Sequence, residues 1–150
     1  MRYLVDTGVL LRLFDSSDAN HNTIRTLFKR LRKDKHTLCA AAQNIAEFWN
    51  VSTRPSTARG GFGQDVESTN RRVGFLEKFG LILTDHPDAY SEWRKLVVEN
   101  EVRGVSVHDA RLVAVMEATG ITHIITLNAS DFHRYSSVTA QTPDEVLSSM

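Results

Sequence analysis

Cysteine is nearly missing from this chain of 150 residues: Cys39 stands alone, which excludes an internal disulfide framework and a thiolate zinc site. Only three prolines and eight glycines occur, too few for a fibrous or low-complexity chain. No apolar run approaches the roughly 20 residues that a membrane span needs, and no stretch has the pattern of a secretory leader. These absences lead us to expect a soluble protein of a reducing compartment, the cytoplasm. Net charge is missing as well, with 18 basic against 18 acidic side chains. Taken alone, that balance argues against a nucleic-acid partner, because such proteins usually carry a basic footprint.

What is present is an ordinary globular composition, 41% hydrophobic and 24% charged, in a length that suits one domain. The zero net charge conceals an asymmetry. Residues 1–75 hold twelve Arg or Lys against seven Asp or Glu, and residues 76–150 hold six against eleven. The basic excess gathers in Arg25, Lys29, Arg30, Arg32, Lys33 and Lys35, and again in Arg54, Arg59, Arg71 and Arg72 around Gly60-Gly61-Phe62-Gly63. The first group reads either as the solvated face of an amphipathic helix or as a surface for phosphate, where counterion release supplies affinity.

Periodicity orders the chain as strands alternating with helices. A short buried strand over 2–6 precedes a helix over 7–14. Ser17 or Asp18 is placed to cap a second helix, with Ile24, Leu27, Phe28 and Leu31 on its inner side. A strand over 37–40 leads to a helix over 42–52 with Ile45, Phe48, Trp49 and Ser52 as its apolar stripe, and residues 54–64 read as a mobile loop. A helix over 65–79, a strand over 81–83 and a helix starting at Pro87, with Tyr90, Trp93 and Val97 inward, come next. A helix over 107–119 stops at Gly120, and 123–127 is the clearest strand. An edge strand over 138–140 and a capping box, Thr142-Pro143-Asp144-Glu145, close the chain. The pattern predicts a single α/β domain over 1–150 with a largely parallel sheet.

In open α/β sheets, ligands bind beyond the carboxyl ends of the strands. Asp6 ends the first strand, and Asn128 and Asp131 follow the last clear one. Asp109 opens a helix, and Glu47 lies on the third helix with Asn44 a turn before it. Each acid has an ordinary reading as a cap or a solvated charge. Together, four carboxylates from distant parts of the chain form an oxygen donor set suited to Mg²⁺ or Mn²⁺ and to metal-assisted phosphodiester hydrolysis. Histidines show no ligand spacing, and Gly60-Gly61-Phe62-Gly63 lacks the Lys-Ser/Thr of a P-loop. Cys39 reads as an inert core thiol, and Trp49 and Trp93 read as core or interface residues.

Four segments carry a family resemblance: Tyr3-Leu4-Val5-Asp6-Thr7-Gly8-Val9-Leu10, Asn44-Ile45-Ala46-Glu47-Phe48, Val107-His108-Asp109-Ala110-Arg111-Leu112 and Ile125-Thr126-Leu127-Asn128-Ala129-Ser130-Asp131-Phe132. In this order they resemble a PIN domain, most of all the small VapC-type toxin ribonucleases. The resemblance implies a three-layer α/β/α fold and a Mg²⁺-dependent endoribonuclease acting on tRNA or another structured RNA. It also implies restraint by a small antitoxin protein, and a homodimer. It assigns metal ligation to Asp6 and Asp109 with Glu47 in support, a hydroxyl hydrogen bond from Thr7 to Asp6, and the positioning of water or metal to Thr126. Thr7, Asn44, Arg54 and Arg59 are the candidate substrate contacts. Asn128 departs from the pattern, since many relatives carry an acid there; Asp131 reads either as its substitute or as a cap of the segment before Phe132, and one metal is expected rather than two. The competing readings are a catalytically weak or inactive PIN-like module that binds RNA or serves as a scaffold, and a phospho-acceptor signalling domain. The latter wants an acidic pair after the first strand and a lysine where Leu127-Asn128 stands.

Overall fold

The computed structural model describes residues 1–150 and has five parallel strands at its centre. They are β1 (Arg2–Val5), β2 (Thr37–Ala41), β3 (Leu81–Leu83), β4 (His123–Ile125) and β5 (Thr139–Gln141), in the spatial order β3-β2-β1-β4-β5. Register pairs Tyr3 with Leu38 and with His123, so β1 is hydrogen-bonded on both edges. Parallel sheets are covered on both faces, and their strands therefore read as unbroken apolar runs. Tyr3, Val5, Leu38, Ala40 and Ile125 point into one core, and Leu4, Cys39, Ala41 and Ile124 into the other. This period-two alternation makes Cys39 a buried thiol whose pKa burial pushes up, as an inert core residue requires.

The first face carries α1 (Thr7–Leu13), α2 (His21–Lys33), α3 (Ala42–Thr53), α4 (Val66–Phe79) and α7 (Pro143–Ser148). The second carries α5 (Ala89–Glu99) and α6 (Val107–Thr119). Crossovers from β1 through β2 to β3 move one way across the sheet, and the return to β4 uses the other face, as a constant crossover hand demands. The result is the three-layer α/β/α arrangement. Gly120 ends α6 with a left-handed φ of 71°, a conformation that glycine adopts without Cβ strain.

Several local expectations need correction. α2 begins at His21, because Asp18 turns its carboxylate onto the Asn20 N–H (2.8 Å) and toward Arg12 rather than capping the helix. α5 starts at Ala89 with Tyr90 69% exposed, so its buried anchor is Leu96. β4 stops at Ile125, two residues short of the apolar run, because the chain turns away to reach a 3₁₀ turn over Ala129–Phe132. On α3 the fully buried positions are Asn44, Phe48 and Ser52, with Ile45 and Trp49 only half-buried. The segment 54–64 is not loose. Phe62 N–H donates to Val51 O, Gly63 N–H to Arg54 O and Gln64 N–H to Ser52 O, folding it back along the end of α3. Gly61 is required there, since a Cβ would lie 2.2 Å from Pro55 O.

Candidate functional site

Parallel strands bring every strand-ending residue to one edge, and β1 lies where the connections diverge to opposite sides of the sheet. Asp6 follows β1 and serves as N-cap of α1, with its Oδ1 accepting the Thr7 N–H at 2.8 Å. Thr126 follows the neighbouring β4, and its hydroxyl donates to Asp6 Oδ2 at 2.7 Å. The same hydroxyl oxygen accepts the Asn128 N–H at 3.1 Å. Both oxygens of Asp6 are thus held, one by the first residue of α1 and the other by the residue that follows β4.

Thr7 does not brace Asp6 through its hydroxyl, contrary to expectation. Its backbone N–H does so, and its hydroxyl donates across to Glu47 Oε2 at 2.7 Å. As the first helical residue of α1, Thr7 faces α3, so its side chain meets that helix rather than the strand end. Asn44 completes the chain of bonds: its Nδ2 donates to Thr7 Oγ1 at 3.2 Å and its Oδ1 accepts the Ala41 N–H at 2.9 Å. Asn44 is wholly buried and Thr7 nearly so, which corrects both as substrate contacts; they position Glu47 and the start of α3. Gln43 was not singled out in the sequence. Its Nε2 donates to Glu47 Oε1 at 2.9 Å and to His108 O at 3.0 Å, tying α3 to the start of α6. The legible signal was its spacing, four residues before Glu47 on one helix face.

Asp109 sits in the first turn of α6 with no hydrogen-bond partner, and its pKa rises from 3.8 to about 6. Burial is the main cause, followed by the charges of Asp6, Asp131 and Glu47. Asp6 is raised too, by burial first, against the lowering bonds from Thr126 and Thr7 and with Glu47 and Asp131 adding repulsion. The four acids therefore share one field. Asp131, exposed on the 3₁₀ turn, is felt by both Asp6 and Asp109, whereas Asn128 is exposed and contributes its backbone N–H. No three His, Cys, Asp or Glu side chains converge tightly enough to cage an ion by themselves.

The two basic groups singled out in the sequence fall elsewhere. Lys33 and Lys35 lie at the end of α2 next to His36, whose Nδ1 is 3.2 Å from the Met1 amine. That is the amino edge of the sheet, opposite the carboxylates, so the end of this helix lies away from the candidate site. Arg30 is paired with Asp34 at 2.8 Å, and Arg32 lies 4.6 Å from the Phe79 ring centre. Arg54 follows Glu47 by seven residues, about 10 Å along the helix axis, and its guanidinium donates to Arg59 O at 2.9 Å.

A family model described as PIN domain matches residues 3–137, which includes every acid of this cluster. The chain belongs to the PIN domain family. Its fold is shared by solved structures of low sequence identity. VapBC2 from Rickettsia felis, bound to a DNA fragment from its promoter, aligns with a TM-score of 0.70 at 14% identity, covering 95% of this chain and 98% of that one. VapC20 of Mycobacterium tuberculosis, described as a sarcin-ricin loop cleaving toxin, gives 0.62 at 21%, covering 86% and 92%. VapBC-1 from nontypeable Haemophilus influenzae gives 0.68 at 15%, covering 96% and 99%. A sequence comparison with curated proteins returns no match. In this PIN domain the sheet's carboxyl edge, with Asp6 at its centre, is the candidate active site.

Proposed function

We propose that this PIN domain is a divalent-metal-dependent endoribonuclease and the toxin of a toxin–antitoxin pair. The observation that carries the reading is the shared field of Asp6, Glu47, Asp109 and Asp131 at the sheet edge, with Asp6 and Glu47 each held at both oxygens. An all-oxygen donor set with raised carboxyl pKa values suits a hard cation, and Mg²⁺ retains much of its water and needs only one or two carboxylates. Asp6 and Asp109 would hold Mg²⁺ or Mn²⁺, with Glu47 in support. When bound, the cation supplies charge neutralisation and a more acidic ligated water beside the phosphate.

The chain's own residues do the positioning. Thr126 and the Thr7 N–H fix the plane of Asp6, and Thr7 and Gln43 fix that of Glu47. Asp109 accepts no hydrogen bond, which leaves both of its oxygens free to ligate. Arg54 and Arg59 serve phosphates flanking the cleavage point. Asp131 supplies the fourth negative charge that Asn128 does not.

Structured RNA, tRNA among the candidates, is the substrate class. The partner is a small antitoxin, a reading supported by structural relatives that are toxin–antitoxin assemblies. A homodimer fits the exposed Val66 and Phe75 of α4, 64% and 47% accessible. No helix is long and apolar enough to cross a membrane, and the cytoplasm is the compartment in which such a ribonuclease would act.

The alternative, an RNA-binding or scaffolding module without catalysis, draws only on Asn128. Purified protein is expected to cut RNA with Mg²⁺ or Mn²⁺, and EDTA or Asp6→Asn to stop it. Cleavage that survives Asp6→Asn would refute the assignment, and RNA binding without cleavage would favour the module.

A further inference from the structure

Beside the carboxylates, on the α5–α6 face of the sheet, lies a cleft of about 450 Å³. Its floor is the end of β2 and β3 at Ala41 and Leu83, and its walls include Gln43, Asp85, His86, Tyr90, Trp93 and Arg111. None of these residues belongs to the proposed metal site, and Gln43 is the side chain that links the cleft to it. Gln43 lines the cleft and donates to Glu47, and Arg111 follows Asp109 by two residues.

The cleft's chemistry is that of a platform for a flat, polar-edged ring. Trp93 is fixed in orientation, because its Nε1 donates to Val107 O at 2.9 Å. Tyr90 lies with its ring centre 6.2 Å from that of Trp93, tilted by 36°, and stays 69% exposed at the mouth. Tyr90 thus offers an open aromatic face on which a base can stack. Arg111 is exposed and forms no ion pair, and Asp85 carries an exposed carboxylate without a hydrogen-bond partner. An unpaired cation, an open aromatic face and a hydrogen-bond acceptor are the elements with which proteins hold single-stranded nucleic acid.

We propose that this cleft receives one unpaired nucleobase of the RNA substrate, next to the phosphate that is cut. The base lies on Tyr90 with Trp93 behind it, Arg111 meets the adjoining phosphate, and Asp85 accepts from N–H donors on the base edge. Guanine, which presents two such donors side by side, is the preferred base. This rests on the ribonuclease reading and adds the residues that choose where the chain is cut.

The test uses the full-length protein and a fluorescein-labelled, randomised single-stranded RNA of about ten nucleotides. Binding is measured by anisotropy in EDTA, so that the result stands apart from catalysis. Tyr90→Ala is expected to weaken binding about tenfold, the usual scale for losing one base–aromatic stack. In cleavage with Mn²⁺, it is expected to raise KM with kcat unchanged, and Asp85→Asn to reduce the preference for guanine at one position of the cut sites. Both residues are exposed, and an unchanged melting temperature checks that the variants are folded. A failure of wild type to cleave, with Tyr90-dependent binding intact, would count against the catalytic reading and for the base subsite. Equal RNA affinity and equal cut sites in wild type, Tyr90→Ala and Asp85→Asn would overturn the proposal and leave the cleft to a protein side chain.

Discussion

Replacing Asp109 with asparagine should stabilise the metal-free protein while abolishing its activity. The carboxyl of Asp109 stands at about 6 in the folded chain against an ordinary 3.8. At 1.36 kcal/mol per pH unit, that difference corresponds to about 3 kcal/mol. Asp109 is partly open to solvent, and screening reduces the figure to about 1–2 kcal/mol. The sign follows from proton linkage: the folded state keeps its proton to higher pH than the unfolded chain. Stability from this group is therefore unimpaired below pH 3.8, falls as pH rises toward about 6, and stays low above it. Asparagine cannot ionise and shows no such fall. In EDTA at pH 7.5, Asp109→Asn is expected to melt roughly 2–8 °C above wild type, on the scale of about 2–4 °C per kcal/mol for a domain of this size. The gap should close near pH 4. Added Mn²⁺ should raise the wild-type midpoint and leave the variant nearly unmoved. Thermal unfolding followed by circular dichroism reads all of this. A variant no more stable than wild type at pH 7.5, or equally ahead at pH 4, would refute the electrostatic reasoning.

Three further outcomes are expected. Thr126→Val keeps the side-chain shape but removes the donor to Asp6 and the acceptor for the Asn128 N–H; urea unfolding should show a loss of about 1–2 kcal/mol, with RNA cleavage reduced as well. Gly61→Ala forces a Cβ against Pro55 O, so the 54–64 segment should lift from α3 and trypsin should cut after Arg59 markedly faster; an unchanged digestion rate would contradict the packing described. Reversing charge with Lys33→Glu and Lys35→Glu alters the edge of the sheet remote from the carboxylates, so kcat/KM on RNA should stay within about twofold, and a tenfold loss would put α2 in the RNA path.

The alternation of strands and helices and the parallel sheet were legible in the sequence because they rest on local signals. Tyr3-Leu4-Val5 and Ile124-Ile125 are apolar on both faces, as parallel central strands must be, and polar residues that can cap or ligate follow each of them. Element ends were less legible where a side chain had two possible partners, as with Asp18, which meets Arg12 and the Asn20 N–H instead of capping α2. Tyr90 shows the limit of periodicity: its spacing on α5 matches that of a core residue, but the helix packs through Leu96.

The equality of 18 acids and 18 bases illustrates how much a total conceals. By itself the sequence determined the fold class, the parallel sheet and the gathering of Asp6, Glu47, Asp109 and Asp131 near one edge, because strand ends and helix starts follow from apolar patterning and capping. Only the tertiary structure decided which hydroxyl serves which carboxylate. Thr7 and Thr126 carry the same group, and nothing local to either tells that one faces α3 and the other Asp6. It also decided that the basic end of α2 lies across the sheet from the acids, while Arg111 and Tyr90 line a cleft at the ends of β2 and β3. Direction and distance between remote segments arise from packing, which no linear pattern records.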